Sequence, residues 1–398
     1  MGLQGLGKGF GELSSQQARG RLLKAMKIIV SGGGTGGHIY PALTLIRTLQ
    51  QKVDKLEVLY VGTHAGLEAD IIPKEGIPFA TVDLQGFKRS LSPENLLRAA
   101  RAIKGVGKAM GIVRKFQPDV VVGTGGYVCG PVLMAASLLG IPSLIQEQNV
   151  IPGITNKILS KFVNKIATGY QEANGAFPAN KVVFTGNPIR QEVMAQRQEA
   201  DYEAFALRPD TTTILVSGGS RGARTINRAM VEVLKHYAGR KDVQILHATG
   251  KGEYEDIIGR ISAAGLNLQQ ADNIKVKPYL YNMPQAMAIA DLAIFRAGAT
   301  GLAELTAKGI PAILVPYPYA AENHQEHNAR AVEKAGAARV ILNKDLTAQG
   351  LIQAIDELIG KPEKLQAMAE ASAKLGRPEA ANTISELIIE LARGRQNC

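Results

Sequence analysis

The 398-residue sequence has no tryptophan, two cysteines, and few aromatic residues, 5% in all. Cys129 and Cys398 are too few for a disulfide scaffold or a Cys-based zinc site, so a reducing compartment is the expectation. No apolar run of about 18 residues or more occurs, so no membrane-spanning helix is expected. Residues 1–25 carry basic positions but lack an apolar core of about 7–15 residues, and read as a loose extension rather than a secretory signal. Leu6 stands where a myristoylation signal carries Ser or Thr. There is no D-x-D triplet, so a protein-held divalent metal on a diphosphate lacks evident ligands; Mg2+ is not indicated and no bound cofactor is expected.

Acidic residues are also short, 35 against 46 Lys+Arg, and the imbalance has a location. Residues 1–186 hold 21 basic and 11 acidic residues, whereas 187–398 hold 25 and 24. Between 88 and 115 lie eight basic residues and only Glu94. Leu96, Ile103 and Met110 fall on one helical stripe, and Arg101, Lys104 and Lys108 on a neighbouring one, with Arg98 close by. Ser92 and Pro93 suit the start of this helix, and Gly105, Gly107 and Gly111 weaken it enough to suggest two short ones. An apolar stripe flanked by cations suits an anionic membrane surface. A nucleic-acid face would want interleaved aromatics, which are missing before Phe116, so no nucleic-acid partner is expected. A helix packed on its own sheet explains the stripe but not the charge.

Hydrophobic residues make up 45% of the chain, ample for two large domains. Short β-branched runs alternate with helical patterns, as in Lys27–Val30, Leu56–Val61 and Asp119–Val122, and again in Thr213–Val216, Gln244–His247 and Leu292–Phe295. Uninterrupted apolar strands imply parallel sheets covered on both faces. The fold class is therefore α/β, with two Rossmann-like doubly wound domains at 26–186 and 187–380. Gly186-Asn187-Pro188 marks the boundary. A closing helix within 381–398 fits either domain, including a return to the first.

Each half opens with a strand that ends in a Gly-rich turn, Ser31–Gly37 and Ser217–Ala223. Such turns let backbone approach a ligand, and the following helix N-terminus attracts an anion. The first turn satisfies G-x-G-x-x-G, but no acid closes the second strand, as a dinucleotide site requires, and no Lys-Ser/Thr ending marks a P-loop. His38 follows Gly37 directly. A helix N-terminus disfavours a charged imidazole, which suits a general base, although a His that merely caps the turn fits the same position. Gly123–Tyr127 forms a second Gly cluster, so Gly125, Gly126 and Tyr127 line the same sheet edge, where α/β ligands bind. Gln146-Glu147-Gln148-Asn149 ends another strand there, as a solvated loop or as partners for sugar hydroxyls. In the second half, Ala297–Gly301 leads into a helix carrying Glu304, which either reaches ribose hydroxyls or merely favours the helix dipole. His324 and His327 lack a third ligand, so zinc is not expected.

Seven motifs in order, GGTGGH (33–38), GTGGY (123–127), QEQN (146–149), GNPIR (186–190), GGSRGA (218–223), the GAT…AE helix (298–304) and HQEHNA (324–329), resemble one family. It is the MurG-type family of cell-wall glycosyltransferases, which add N-acetylglucosamine to undecaprenyl-diphosphate-linked muramyl-pentapeptide. The resemblance spans residues 27–390. It implies a GT-B arrangement, two Rossmann-like domains facing a central cleft, and an inverting single displacement with His38 as base. It implies UDP-N-acetylglucosamine contacts at Thr35, Gly36, Gly37, Asn149, Arg190, Ser220, Leu280, Ala299, Thr300, Gly301, Leu302, Ala303, Glu304 and Gln325. The acceptor side would include Gly125, Gly126, Tyr127 and Glu147. It further implies a peripheral location on the cytoplasmic face of the plasma membrane. Its rivals are a diacylglycerol glycosyltransferase and a UDP-N-acetylglucosamine 2-epimerase of the same fold.

Overall fold

The computed structural model describes residues 25–82 and 94–396, with residues 94–103 described by backbone alone. The expected extension, apart from Ala25, and the Ser92-Pro93 start lie outside the described residues.

Apolar runs such as Ile28–Val30 and Val120–Val122 are buried completely, because helices cover both faces of the sheet that they form. Among the described residues the first sheet has β1 (Met26–Ser31), β2 (Leu56–Gly62), β3 (Phe79–Thr81), β4 (Val120–Gly123), β5 (Ser143–Glu147), β6 (Lys165–Thr168) and β7 (Val182–Phe184). Their order is β3-β2-β1-β4-β5-β6-β7, with every pairing parallel. The second sheet has β8 (Thr212–Ser217), β9 (Val243–Ala248), β10 (Ile274–Lys277), β11 (Leu292–Phe295), β12 (Ala312–Leu314) and β13 (Ala338–Val340). It is parallel too, in the order β10-β9-β8-β11-β12-β13. The strands β3 and β13 have only three residues each and leave little mark in the sequence pattern. Both are short edge strands, too brief to carry a period.

The helices that matter to the site are α1 (Gly36–Lys52), α2 (Glu68–Lys74), α3 (Glu94–Phe116), α4 (Cys129–Leu138) and α5 (Ile154–Leu159) around the first sheet. Around the second are α6 (Arg224–Tyr237), α7 (Ala299–Lys308) and α8 (His324–Lys334). Against the expectation of two short helices, α3 is continuous. Burial of Ala109 and Val113 in the core beneath it outweighs the propensity cost of its glycines.

Strand order reverses beside β1 in one sheet and beside β8 in the other, so each sheet opens a crevice at its carboxyl edge. The closing helix α9 (Ala380–Gln396) returns to the first sheet. Its stripe Ile384, Ile388 and Ala392 shares a core with Met26, Ile28 and the α1 residues Leu45 and Leu49. Where the chain leaves the first sheet, Gly186 has φ +82°, and a Cβ there would lie 2.4 Å from Cβ of Arg377, whose guanidinium stacks 5.3 Å from the Phe184 ring.

Candidate active site

β1 and β4 pair with Ser31 opposite Gly123, so the loops that leave them emerge side by side. They interlock. Gly33 N–H donates to Gly125 O at 3.2 Å, and the Thr124 hydroxyl donates to His38 O at 2.8 Å. Gly125 and Gly126 have φ +107° and +85°, values that favour glycine. Space is short as well: a Cβ on Gly126 would lie 2.5 Å from Gly33 O, and one on Gly125 2.7 Å from the His38 ring.

Thr35 is the N-cap of α1, in extended conformation, and His38 lies in the first turn. The His38 ring is half-buried and its Nδ1 hydrogen-bonds Gly33 O at 2.8 Å. A carbonyl only accepts, so Nδ1 carries the hydrogen and Nε2 keeps its lone pair. Gly36 is half-buried, and Gly37 and Tyr127 are exposed.

The end of β5 is a brace. Glu147 was expected on the acceptor side, but its side chain is buried. Oε1 accepts from Asn149 N at 3.0 Å and Asn149 Nδ2 at 3.3 Å, and Oε2 accepts from Gly153 N at 3.1 Å and Asn156 Nδ2 at 2.8 Å. These four bonds tie the carboxylate to the loop that follows β5. Gln146 and Gln148 are likewise internal, tied to Asn187 and to Thr124 O.

The second sheet meets this edge. Asn328, fully buried in α8, accepts from Val150 N at 2.9 Å and donates to Asn149 Oδ1 at 3.1 Å. Arg190 grips Glu304 with two bonds, Nε to Oε1 at 2.8 Å and Nη2 to Oε2 at 3.2 Å. Burial opposes the Arg190 charge, but the Glu304 carboxylate more than offsets this and raises its pKa above the ordinary value. Burial lowers the His324 pKa below its ordinary value, against a hydrogen bond to the Ala321 carbonyl that raises it.

Beneath the cleft, Gly219 and Gly222 take φ +87° and +78° in the 218–223 loop, and Ser220 and Arg221 are exposed on it. Three residues after β11 the chain enters α7, whose first turn holds Ala299, Thr300 and Gly301. The Thr300 hydroxyl is buried there without a hydrogen-bond partner. Leu280 and Leu302 bury their side chains in the second core, so any ligand contact from them runs through backbone. Ala303 is half-buried, and Gln325 Oε1 accepts from Tyr317 N at 3.0 Å. Among the described residues no three His, Cys, Asp or Glu side chains converge as metal ligands. Sequence patterns missed Thr124, Asn328 and Glu68, the last a buried acid at the start of α2. Gly62 and Gly66, which make room around Glu68, were the available signal.

The glycosyltransferase family 28 N-terminal domain profile matches residues 28–168, and the C-terminal domain profile matches 213–384. A UDP-N-acetylglucosamine--N-acetylmuramyl-(pentapeptide) pyrophosphoryl-undecaprenol N-acetylglucosamine transferase of Desulforamulus reducens is 50% identical over 93% of this chain and 100% of that protein. The chain belongs to glycosyltransferase family 28. A transferase of the same description from Halalkalibacterium halodurans is 46% identical over 92% of the chain and all of its own length. Among solved structures, Acinetobacter baumannii MurG superposes with a TM-score of 0.72 at 30% identity, over 92% of this chain and 99% of that one. A Neisseria meningitidis UDP-GlcNAc 2-epimerase reaches 0.62 at 16% identity over 92% and 100%, a likeness of fold alone.

Proposed function

We propose that this chain moves N-acetylglucosamine from UDP-N-acetylglucosamine to the 4-hydroxyl of muramyl-pentapeptide carried on undecaprenyl diphosphate, a step of peptidoglycan synthesis. Identity of 50% along the full length of a transferase of that description carries the substrate assignment. The epimerase alternative rests only on fold.

In this reading the two carboxyl-edge crevices hold the two substrates. The acceptor 4-hydroxyl oxygen attacks the anomeric carbon from the His38 side. The new O–C1 bond forms as the C1–O bond to the diphosphate breaks, and the configuration inverts. The hydroxyl proton passes to His38 Nε2, the nitrogen that the Gly33 carbonyl leaves with a lone pair. The diphosphate departs toward the 218–223 loop and the α7 N-terminus, where N–H groups and the unpartnered Thr300 hydroxyl face developing charge. Each Glu304 oxygen accepts one bond from Arg190 and retains a second lone pair for a ribose hydroxyl.

A membrane-bound acceptor needs a docking face. No helix among the described residues is long and apolar enough to cross a membrane. Leu138, Ile154, Ile158 and Phe162 stand 63%, 62%, 56% and 44% exposed on α4, α5 and the turn after it, with Lys157 and Lys161 exposed among them. Lys104 and Lys108 are exposed on α3, and Met110 is half-buried. The side chains of Leu96, Arg98, Arg101 and Ile103 lie outside the described residues. This apolar and cationic surface supports peripheral docking on an anionic leaflet at the cytoplasmic face of the plasma membrane.

The deciding assay supplies labelled UDP-N-acetylglucosamine and the lipid-diphosphate acceptor; label is expected in the lipid phase, and its absence would refute the substrate assignment. His38→Ala should lower kcat by on the order of 100- to 10,000-fold while UDP affinity measured by calorimetry stays near that of the parent. An unchanged kcat removes His38 from the role of base.

A further inference from the structure

One buried charge has no part in that chemistry. Glu68, in the first turn of α2, is completely buried beneath the 32–37 loop. Its Oε2 accepts from Gly34 N at 2.9 Å, and its Oε1 accepts from Thr63 N at 3.1 Å and the Thr63 hydroxyl at 2.8 Å. Three donors face it, and among the described residues no cation pairs with it. Three glycines clear its space: a Cβ on Gly33 would lie 2.4 Å from Oε1, one on Gly66 2.1 Å from the same atom, and one on Gly62 2.5 Å from Cγ. Desolvating a carboxylate without a counter-ion is costly, so a structural brace alone would be better made from a neutral side chain.

The Gly33–Gly34 peptide connects this carboxylate to the His38 ring. The carbonyl of that peptide accepts from His38 Nδ1 at 2.8 Å, and its N–H donates to Glu68 at 2.9 Å. We propose that Glu68 is a positioning residue for His38, acting through the Gly33–Gly34 peptide. A negative acceptor on an amide N–H draws its resonance toward the charge-separated form and strengthens the carbonyl as an acceptor, the cooperativity of linked hydrogen bonds in a low-dielectric interior. The carbonyl then fixes the hydrogen on Nδ1 and aims Nε2 at the cleft. A peptide group thus stands where a carboxylate would otherwise contact the imidazole directly, and the negative charge stays one peptide unit from the incoming diphosphate substrates. No proton moves along the chain; the effect is on ring orientation and tautomer. The kinetic part of this inference rests on His38 being the base, whereas the tautomer part does not.

The test uses the full chain labelled with 15N-histidine, read by long-range 1H–15N correlation at about pH 8, with His38 among the six histidines assigned by its loss in His38→Gln. In the parent protein His38 should show Nδ1 protonated and Nε2 bare. Glu68→Gln should move His38 toward mixed tautomers and leave the other five histidines in place. It should also lower kcat by about 10- to 100-fold, the range for removing a group that orients a functional imidazole, with KM for the sugar nucleotide within about twofold. Glu68→Asp, which keeps the charge but withdraws it from Gly34 N–H, should shift the tautomer in the same direction. A parent spectrum with the proton on Nε2 overturns the proposal without any variant, as does an unmoved His38 tautomer in a folded Glu68 variant. If His38→Ala keeps its kcat while Glu68→Gln still shifts the tautomer, the assignment of the base fails and the positioning stands.

Discussion

Replacing Gly126 with alanine tests whether the interlocked loops hold the catalytic geometry. At φ +85° an alanine pays a left-handed backbone cost of about 1–2 kcal/mol. Its Cβ would also lie 2.5 Å from Gly33 O, whereas real Cβ contacts stay at 3.0 Å or beyond, so backbone on one side must give by about half an ångström or more. The displaced atom is the acceptor for His38 Nδ1, held at 2.8 Å, and the ring must follow it or lose the bond. A misplacement approaching 1 Å costs on the order of 100-fold in rate. Gly140 provides the control: its φ is +66°, but a Cβ there meets nothing within 4 Å. Gly140→Ala should therefore lose about 1–2 kcal/mol in urea unfolding with kcat intact. Gly126→Ala should lose about 2–4 kcal/mol and drop kcat about 10- to 100-fold at saturating substrates. Equal stability losses with an unchanged kcat in both would refute the claim that the Gly33 carbonyl sets the position of His38.

Two further outcomes follow from other parts of the molecule. Ile158→Glu places a negative charge in the middle of the exposed apolar face, and binding to phosphatidylglycerol-containing vesicles should weaken at least about tenfold, given roughly 1 kcal/mol per basic residue near an anionic surface and the lost apolar contact; undiminished cosedimentation would move the docking face elsewhere. His247 lies fully buried in β9, its Nε2 on Asn227 Oδ1, and burial lowers its pKa to about 3. The folded chain keeps this ring neutral while the unfolded chain binds a proton below an ordinary value of 6.5, so stability falls as pH drops from 6.5 toward 3, by up to about 1.4 kcal/mol per unit. His247→Gln should flatten the pH dependence of the urea-unfolding free energy by about one proton in that window, and parallel slopes in the two proteins would contradict it.

What could be read in advance depended on which groups do the holding. The strand, Gly turn and helix around 26–52 were legible because an apolar run, a glycine cluster and a helical stripe each leave a residue-type signature. Glu68 left almost none, since two of its three donors are backbone N–H groups that every residue carries. The inward turn of Glu147 was hidden for a related reason. All five residues of β5 are buried, so no alternation tells which way the strand's last side chain turns. The Arg190–Glu304 pair joins residues 114 positions apart, and no local pattern foretells that the two would grip each other before meeting a ligand.

The two Gly-rich turns, alike as sequences, divide the work once their N–H groups are accounted for. In the first, Gly34 N–H is committed to the buried Glu68, which sets a negative charge beneath the loop and makes that point a poor seat for phosphate. In the second, Gly219 N–H bonds only the neutral Ser217 hydroxyl at 3.2 Å, and Arg221 is exposed beside it. Arg224 does not add to this, being tied to Glu253 at 3.0 Å. Anion binding is therefore favoured at the 218–223 loop and the α7 N-terminus over the 32–37 loop, whose Gly34 N–H and Gly33 carbonyl are committed to Glu68 and the His38 ring.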